Sequence, residues 1–357
     1  MTFSFRTYLS GLFRETPFAS AAWYMRDISE GAVSLVTAPA LRRRRRGAVV
    51  LNYHGVTPHV VDPAVEVSHI SADLFRKQIR HIKKYYRIVS LAKLVGQLEL
   101  GNSIPNNWVI LTFDDGFRNN LTCALQILQE EDGLPMTVFI ITDLVGTKKN
   151  HWADLIPMVV MCCDNRTLRV PRREGSWEIR PAHNRRQRAN LRFEISDTIK
   201  PMSENRRQSV LKEFFLQFGV GEIEEIRSRF SSFDYLNWNE VRTLHSNGVD
   251  IGSHTCTHAY LRPDLEVEQM RGEILRSRIK IHQELGRAPA HFCYPNGGHG
   301  DFCEMSGLLL QESEYRCGLT TVSGMVTPGN DCFALKRQTL IGTMARFRNA
   351  TAGKLLV

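Results

Sequence analysis

Cysteine is scarce in this 357-residue chain, which has eight cysteines and no pair in the CxxC spacing. Small secreted proteins held together by disulfides have a much higher density of cysteine, and CxxC pairs are typical of zinc ribbons and redox motifs. The sequence therefore excludes a disulfide scaffold. We expect free thiols in a reducing compartment, the cytoplasm.

Long uncharged runs are also missing. The longest in the N-terminal segment, Gly31–Leu41, has eleven residues and contains Pro39. A membrane-spanning helix needs about 20 apolar residues, and a secretory signal carries its positive charge before the apolar run rather than after it. We therefore predict neither a transmembrane helix nor a cleaved signal.

Positive charges exceed negative charges by nine, and the excess lies in two segments. Residues 1–46 hold eight arginines against three acids, and residues 166–229 hold fifteen basic residues against nine acids. The first segment is rich in aromatic residues and ends in five arginines. That pattern fits peripheral contact with the anionic inner face of a membrane, or a helix packed on the body with a solvated arginine run. Neither segment resembles a nucleic-acid-binding module, so we expect no nucleic acid as partner.

Strand-like and helix-like segments alternate through the rest of the chain. Alternating βα units predict parallel strands joined by helices, and six to eight such units favour an α/β barrel over an open sheet. Helices are predicted near residues 71–82, 121–128, 241–244 and 266–285. Apolar runs predict strands at residues 48–53, 87–91, 108–113, 137–142, 249–253, 292–294, 318–322 and 333–340.

The alternation divides the chain into three parts. Residues 1–46 form a basic amphipathic N-terminal extension, and residues 47–345 form the barrel. A basic, mostly helical insertion at about residues 146–233 interrupts the barrel. Loops at the carboxyl ends of barrel strands carry function, so the insertion either walls a substrate cleft or is a solvated decoration.

Two acids and two histidines follow predicted strands. Asp114 and Asp115 come directly after the run ending at Phe113, and His254 and His258 follow the strand near residue 251. Two histidines four residues apart reach one ion if the residues between them form a helical turn. An aspartate and two histidines at the ends of two strands match a divalent metal site with open coordination positions. Taken alone, the two aspartates also fit a strand-end turn with solvated acids, and the two histidines also fit a satisfied surface pair.

A third motif, Tyr294-Pro295-Asn296-Gly297-Gly298, follows the predicted strand at 292–294. A turn of this composition can direct a backbone N–H into a pocket, as a donor to an oxyanion requires. Alone, it would be an ordinary turn.

The three motifs together resemble the polysaccharide deacetylases, also known as carbohydrate esterase family 4 or the NodB-homology group. The similar segments are LTFDDG (111–116), SHTCTH (253–258), FCYPNGG (292–298) and, in a subset of the family, YHGV (53–56). The resemblance covers about residues 47–145 and 235–340. It implies a distorted (β/α)7 barrel and metal-dependent removal of an acetyl group from a sugar.

The resemblance also implies roles for individual residues. Asp114 resembles the family's general base, and Asp115, His254 and His258 resemble its metal ligands. The backbone N–H of Asn296 resembles the oxyanion donor. We therefore expect one divalent ion, with Zn²⁺ favoured and Co²⁺, Ni²⁺ or Fe²⁺ compatible with the same ligands.

Two features depart from the family pattern. Many members have an arginine, which orients the base, where this chain has Cys293, and Arg337 is our candidate replacement. Many members also place a general-acid histidine in a Leu-x-His motif near the C-terminus, whereas residues 340–342 contain none. His54 is our candidate acid, or else a structural or substrate-contacting residue. His299 or a solvent molecule is the next choice for the acid.

The sequence thus predicts a metal-dependent carbohydrate N-deacetylase. Its expected substrate is an N-acetylated sugar in a polysaccharide or a lipid-linked glycan precursor. A basic, aromatic N-terminus favours a membrane-associated precursor. The alternative is a non-catalytic glycan-binding relative, which would have no need of an aspartate base.

Overall fold

The computed structural model describes residues 45–339 and 343–353. Its strands are, in chain order, β1 (Val49–Tyr53), β2 (Gly55–Thr57), β3 (His69–Ser71), β4 (Arg87–Ile88), β5 (Trp108–Phe113), β6 (Thr137–Ile140), β7 (Thr167–Pro171), β8 (Trp177–Pro181), β9 (Asp250–Ser253), β10 (His291–Cys293), β11 (Cys317–Ser323) and β12 (Leu335–Thr339).

Helices connect most of these strands. The α-helices are α1 (Ala72–Tyr85), α2 (Leu91–Glu99), α3 (Gln126–Glu130), α4 (Trp152–Cys162), α5 (Arg185–Ile199), α6 (Glu204–Phe215), α7 (Val220–Ser228), α8 (Trp238–Ser246), α9 (Val267–Leu285), α10 (Glu304–Glu312) and α11 (Met344–Thr351). A π-helical turn, Asn120–Leu125, leads directly into α3.

Seven parallel strands close into a barrel in the order β1, β5, β6, β9, β10, β11, β12, and β12 pairs back to β1. The short β4 adds to the same sheet beside the beginning of β5. All five residues of β1 are in register with Val109–Phe113. The prediction of a (β/α)7 barrel is therefore confirmed.

Strands β1, β5 and β6 are mostly apolar because both of their faces are buried. On β1, Val49 and Leu51 pack in the same layer as Ile79 of helix α1. Val50, which points the other way, packs with Phe139 in a second cluster. Parallel sheets covered on both faces require such continuous apolar runs, which is why the sequence pattern located them.

The strand predicted at residues 87–91 is too long. The structure ends it at Ile88, and helix α2 begins at Leu91. The Ser90 side chain accepts a hydrogen bond from the Lys93 backbone N–H at 3.2 Å. This N-cap stabilises the first turn of a helix, so the apolar residues after Ser90 belong to the helix.

Between β6 and β9 the chain forms a distinct group of elements. It contains helices α4 to α7 and the antiparallel hairpin of β7 and β8. These elements pack around an apolar cluster that includes Ile156, Leu211 and Phe214. The predicted insertion at 146–233 spans all of them, and its boundaries as a separate unit stay a prediction.

The N-terminal extension lies mostly outside the described residues, the first of which is Arg45. Its predicted contact with a membrane therefore stays a prediction. Arg45 is buried, unlike a residue of a solvated run, and donates to the Thr351 carbonyl at 3.0 Å. Across the residues that the structure describes, we find no helix with the length and apolar character needed to cross a membrane.

We predict that Gly252→Ala destabilises the barrel by about 1–3 kcal/mol, the usual effect of overpacking. A Cβ at Gly252 would lie 2.4 Å from the Phe139 ring and 3.0 Å from the His291 carbonyl oxygen. The matched control is Gly96→Ala in α2, where a Cβ meets nothing within 4 Å. Helix propensity predicts that this control gains up to about 1 kcal/mol. Urea unfolding measures both, and equal stabilities would contradict the packing described here.

Candidate active site

Asp114 and Asp115 lie where β5 ends at the rim of the barrel. The Asp114 backbone N–H donates to the Tyr53 carbonyl at 2.9 Å, which extends the pairing with β1 by one residue. Asp115 (φ 71°) and Gly116 (φ 78°) then adopt left-handed conformations. A Cβ at Gly116 would lie 2.8 Å from the Ile140 side chain. The sharp turn therefore requires glycine at 116 and gives the two carboxylates different surroundings.

Arg337 on β12 is fully buried. Its two terminal guanidinium nitrogens both bind Asp114. Nη1 donates to Oδ1 at 2.8 Å and Nη2 donates to Oδ2 at 2.7 Å. Nε donates to the Thr320 carbonyl at 2.7 Å, and Nη2 lies 3.0 Å from the Cys293 sulfur. Burial disfavours the charged carboxylate, but Arg337 outweighs it and holds the pKa of Asp114 well below its usual range. Asp114 is therefore ionised at neutral pH.

Asp115, His254 and His258 converge beside this ion pair. The Nε2 atoms of both histidines lie 3.5 Å from Asp115 Oδ1. His254 donates from Nδ1 to the Cys293 carbonyl at 2.7 Å, which leaves its Nε2 as an acceptor. Burial lowers the pKa of His254 to about 4 and that of His258 well below its usual value. Both rings are therefore neutral, the form that binds a metal ion.

The residues present fit a divalent cation. Asp115 Oδ1 is buried and has no hydrogen-bond partner among the described residues. Burial, together with neighbouring carboxylates, raises the pKa of Asp115 well above its usual range. A cation at this point would satisfy the oxygen and favour the ionised carboxylate. A second cluster, Asp114, His254 and Cys293, also has its possible ligand atoms within 4.8 Å of one another, but both Asp114 oxygens are already bound by Arg337.

The two histidines meet through an irregular loop and not through the helical turn that their spacing had suggested. Thr255 (φ 64°) and His258 (φ 67°) have left-handed conformations. Glu273 of helix α9 accepts hydrogen bonds from the backbone N–H groups of Cys256 and Thr257, each at 2.9 Å. Glu273 was not among the residues predicted from the sequence. The available signal was an acidic residue on the apolar face of an amphipathic helix.

His54 directly follows β1, and its ring faces the same cluster. Its Nε2 lies 4.0 Å from Asp115 Oδ2. The His54 side chain is 28% exposed, against 2% for His254, so a bound substrate can reach it. Burial lowers the pKa of His54, while the charge of Asp114 opposes that shift.

The Pro-Asn-Gly-Gly turn is held by its neighbours, and the Tyr294 side chain points away from the site. Tyr294 is fully buried in another apolar cluster, and its hydroxyl donates to the Phe333 carbonyl at 2.9 Å. Asp301 accepts a hydrogen bond from the Asn296 side-chain amide. The structure therefore leaves Pro295 and the backbone of Asn296 as candidate substrate contacts, and does not bring the Tyr294 side chain into the site.

Two residues at the start of helix α4 interact with the site, and neither was predicted from the sequence as a site residue. His151 caps the helix, and its Nε2 lies 3.1 Å from His258 Nδ1. Asp154 accepts a hydrogen bond from the Tyr235 hydroxyl at 2.9 Å, and its charge contributes to the raised pKa of Asp115. The sequence signal was a histidine and an acid, three residues apart, just before the apolar run of the insertion.

Fold and site together define a parallel α/β-barrel protein with a candidate metal centre at the carboxyl ends of its strands. A sequence profile described as polysaccharide deacetylase matches residues 102–205 and 206–305, more than half of the chain. The chain therefore belongs to the polysaccharide deacetylase family. No curated protein sequence gives a match.

Solved structures of low sequence identity share the fold. The Streptococcus pyogenes deacetylase PplD, in complex with acetate, has a TM-score of 0.55 and 16% identity, with 86% of this chain and 99% of that chain covered. IcaB from Ammonifex degensii has the same TM-score and identity, with 86% and 96% covered. A Bacillus anthracis putative polysaccharide deacetylase has a TM-score of 0.52 and 17% identity, with 86% and 69% covered.

We predict that Arg337→Gln destabilises the protein by about 3–5 kcal/mol, because it leaves a buried carboxylate without its cation. The double variant Asp114→Asn, Arg337→Gln removes that charge as well and should recover a substantial part of the loss. Urea unfolding of both variants measures the difference. Equal stabilities of the single and double variants would show that the ion pair does not control the fold of this region.

Proposed function

We propose that this chain is a metal-dependent N-deacetylase that hydrolyses the acetamide of an N-acetylated sugar, in a polysaccharide or a lipid-linked glycan precursor. The proposal depends on one observation: the two adjacent aspartates have different partners. Asp114 is bound by Arg337 through both oxygens, whereas Asp115 Oδ1 is buried, without a hydrogen-bond partner among the described residues, and faces two histidines.

Asp115, His254 and His258 would hold the ion, and their mixed oxygen and nitrogen donor set favours Zn²⁺. When bound, such an ion polarises a carbonyl oxygen and acidifies a water molecule, so that even a weakly basic carboxylate can remove its proton. The His254 hydrogen bond to the Cys293 carbonyl and the contact between His258 and His151 fix the orientation of the rings.

Asp114 is the proposed general base. Its low pKa keeps it ionised through the neutral range, so it can accept a proton from water attacking the acetyl carbon. Arg337 fixes both oxygens and thereby the direction in which that proton is accepted. The Asn296 backbone N–H is the proposed donor to the oxyanion.

His54 is the proposed general acid, which gives a proton to the leaving nitrogen. Its ring is partly exposed and faces Asp115. Because burial lowers the pKa of His54, its protonated form is a stronger acid but is less populated at neutral pH. This residue would replace the histidine that many family members place near the C-terminus. Residues 340–342 themselves lie outside the described part of the chain.

The alternative, a non-catalytic glycan-binding relative, explains less. In this structure a buried ion pair, Asp114 with Arg337, lies next to a carboxylate without a partner among the described residues. Removing these charges from water costs free energy, and a module that only binds a glycan has no use for them. The proposed cytoplasmic location and membrane contact rest on composition alone.

We predict opposite results for isosteric variants of the two aspartates. Asp115→Asn should lose the divalent ion, because it removes the charged ligand. Asp114→Asn should keep the ion while acetate release falls roughly 10²–10⁴-fold, the usual worth of a general base. Metal analysis of the purified variants and acetate assays on N-acetylhexosamine oligomers measure both. An Asp114→Asn variant with near-normal turnover would exclude it as the base.

We predict that His54→Ala lowers kcat, with an unchanged metal content, by removing the proton donor. The matched control is His299→Ala, which alters an exposed histidine beyond the Pro-Asn-Gly-Gly turn. Steady-state kinetics with metal analysis distinguish the two variants. If only KM changes in His54→Ala, or if His299→Ala lowers kcat instead, His54 is not the acid.

A further inference from the structure

A cavity of about 360 Å³ lies beside the candidate metal centre, between helices α4 and α6 of the segment that joins β6 to β9. The cavity and the metal centre share a wall, because His258, Thr257 and His151 line it. Any molecule in the cavity would therefore lie next to a group bound at the metal centre. Its apolar walls come from Leu144, Trp152, Leu155, Leu211 and Phe215.

The cavity is lined by more positive than negative charge. Arg207 and Lys212 of α6 face it, against one carboxylate, Glu204, which binds Arg207. Arg207 is 2% exposed, and its guanidinium lies 4.4 Å from the Tyr260 ring. These contacts hold the guanidinium in place. Because Glu204 is paired with Arg207, no other carboxylate of the cavity lining is available to Lys212.

Two buried polar atoms of the lining have no hydrogen-bond partner among the described residues. They are Arg207 Nε, a donor, and Asn150 Oδ1, an acceptor. The Asn150 amide nitrogen donates to the Phe233 carbonyl at 2.7 Å, which fixes the side chain and leaves Oδ1 available. Buried polar groups are normally paired. Both atoms are almost inaccessible in this conformation, so a ligand that accepts at Arg207 and donates at Asn150 would complete both after a small movement of these side chains.

We infer that this cavity is a binding subsite for a sugar unit that carries an anionic substituent, a carboxylate or a phosphate. The anion binds Arg207 and Lys212, a hydroxyl donates to Asn150 Oδ1, and the apolar face of the ring packs against Trp152. A binding site of this kind combines an apolar wall with a few polar groups. This inference rests on the proposed function, since it makes the anionic unit a neighbour of the acetamido sugar in the same substrate.

The test is a titration of the full chain with glucose, glucose 1-phosphate and glucuronate. The NMR signal of the Trp152 indole, assigned with Trp152→Phe, reports on the cavity. We expect saturable binding of at least one anion and much weaker binding of neutral glucose. Arg207→Gln and Lys212→Gln should each weaken anion binding about tenfold or more, since charged hydrogen bonds are lost. Lys212 is exposed, so its substitution should not disturb the fold. Thermal melting checks that the variants fold.

Matched controls separate the cavity from other sites. Arg206→Gln alters the neighbouring residue of the same helix, which donates instead to the Arg173 carbonyl, and should leave binding unchanged. Asp115→Asn should retain anion binding, because it alters the metal centre and not the cavity. Binding of glucose 1-phosphate but not glucuronate would identify a glycosyl phosphate, as in a lipid-linked precursor. Binding of glucuronate but not glucose 1-phosphate would identify an acidic glycan unit.

Three results would overturn the inference: no saturable binding of either anion, equal loss in Arg206→Gln and Lys212→Gln, or loss in Asp115→Asn with none in Lys212→Gln. Because the titration requires no turnover, it is independent of the proposed function. If no glycan yields acetate, the proposed function fails, whereas the titration still decides whether the cavity binds anionic sugars.

Discussion

The buried ion pair between Arg337 and Asp114 is the interaction on which the arrangement of the site depends. It joins β12 to the end of β5 across the intervening strand β1. A buried pair of this kind contributes little net stability, but the loss of one partner is costly. Because Arg337 occupies both oxygens of Asp114, only Asp115 has an oxygen free for a cation. One arginine thereby gives two adjacent, chemically identical acids different properties.

Backbone geometry reinforces that difference. Asp115 and His258, two of the three proposed ligands, both have left-handed backbone conformations (φ 71° and 67°). Residues other than glycine adopt this region at a cost, and surrounding structure must hold them there. The β1–β5 pairing holds the first turn, and Glu273 holds the loop before the second. The proposed ligands are therefore positioned by the fold itself before any ion binds.

The sequence located the core strands well because strands buried on both faces are mostly apolar, as the β1 and β5 segments illustrate. It misplaced the end of β4, where the Ser90 cap outweighs strand propensity. Arg337 could be anticipated from its position near the last strand once Cys293 was seen to replace an arginine. Glu273 and His151 each left a local signal in the sequence. That signal could not identify their partners, because their contacts with the histidine motif join residues far apart in the sequence.

The segment between β6 and β9 is part of the candidate site and not a decoration. A barrel rim presents only the strand ends and short loops, so contacts with a substrate larger than the reacting group must come from longer connections. Here the connection reaches back to the metal centre through His151, which contacts His258. The same connection carries the largest excess of basic residues in the chain, and it places Arg207 in the wall of the cavity. One of these basic residues, Arg207, is therefore buried beside the candidate site and does not belong to a basic surface.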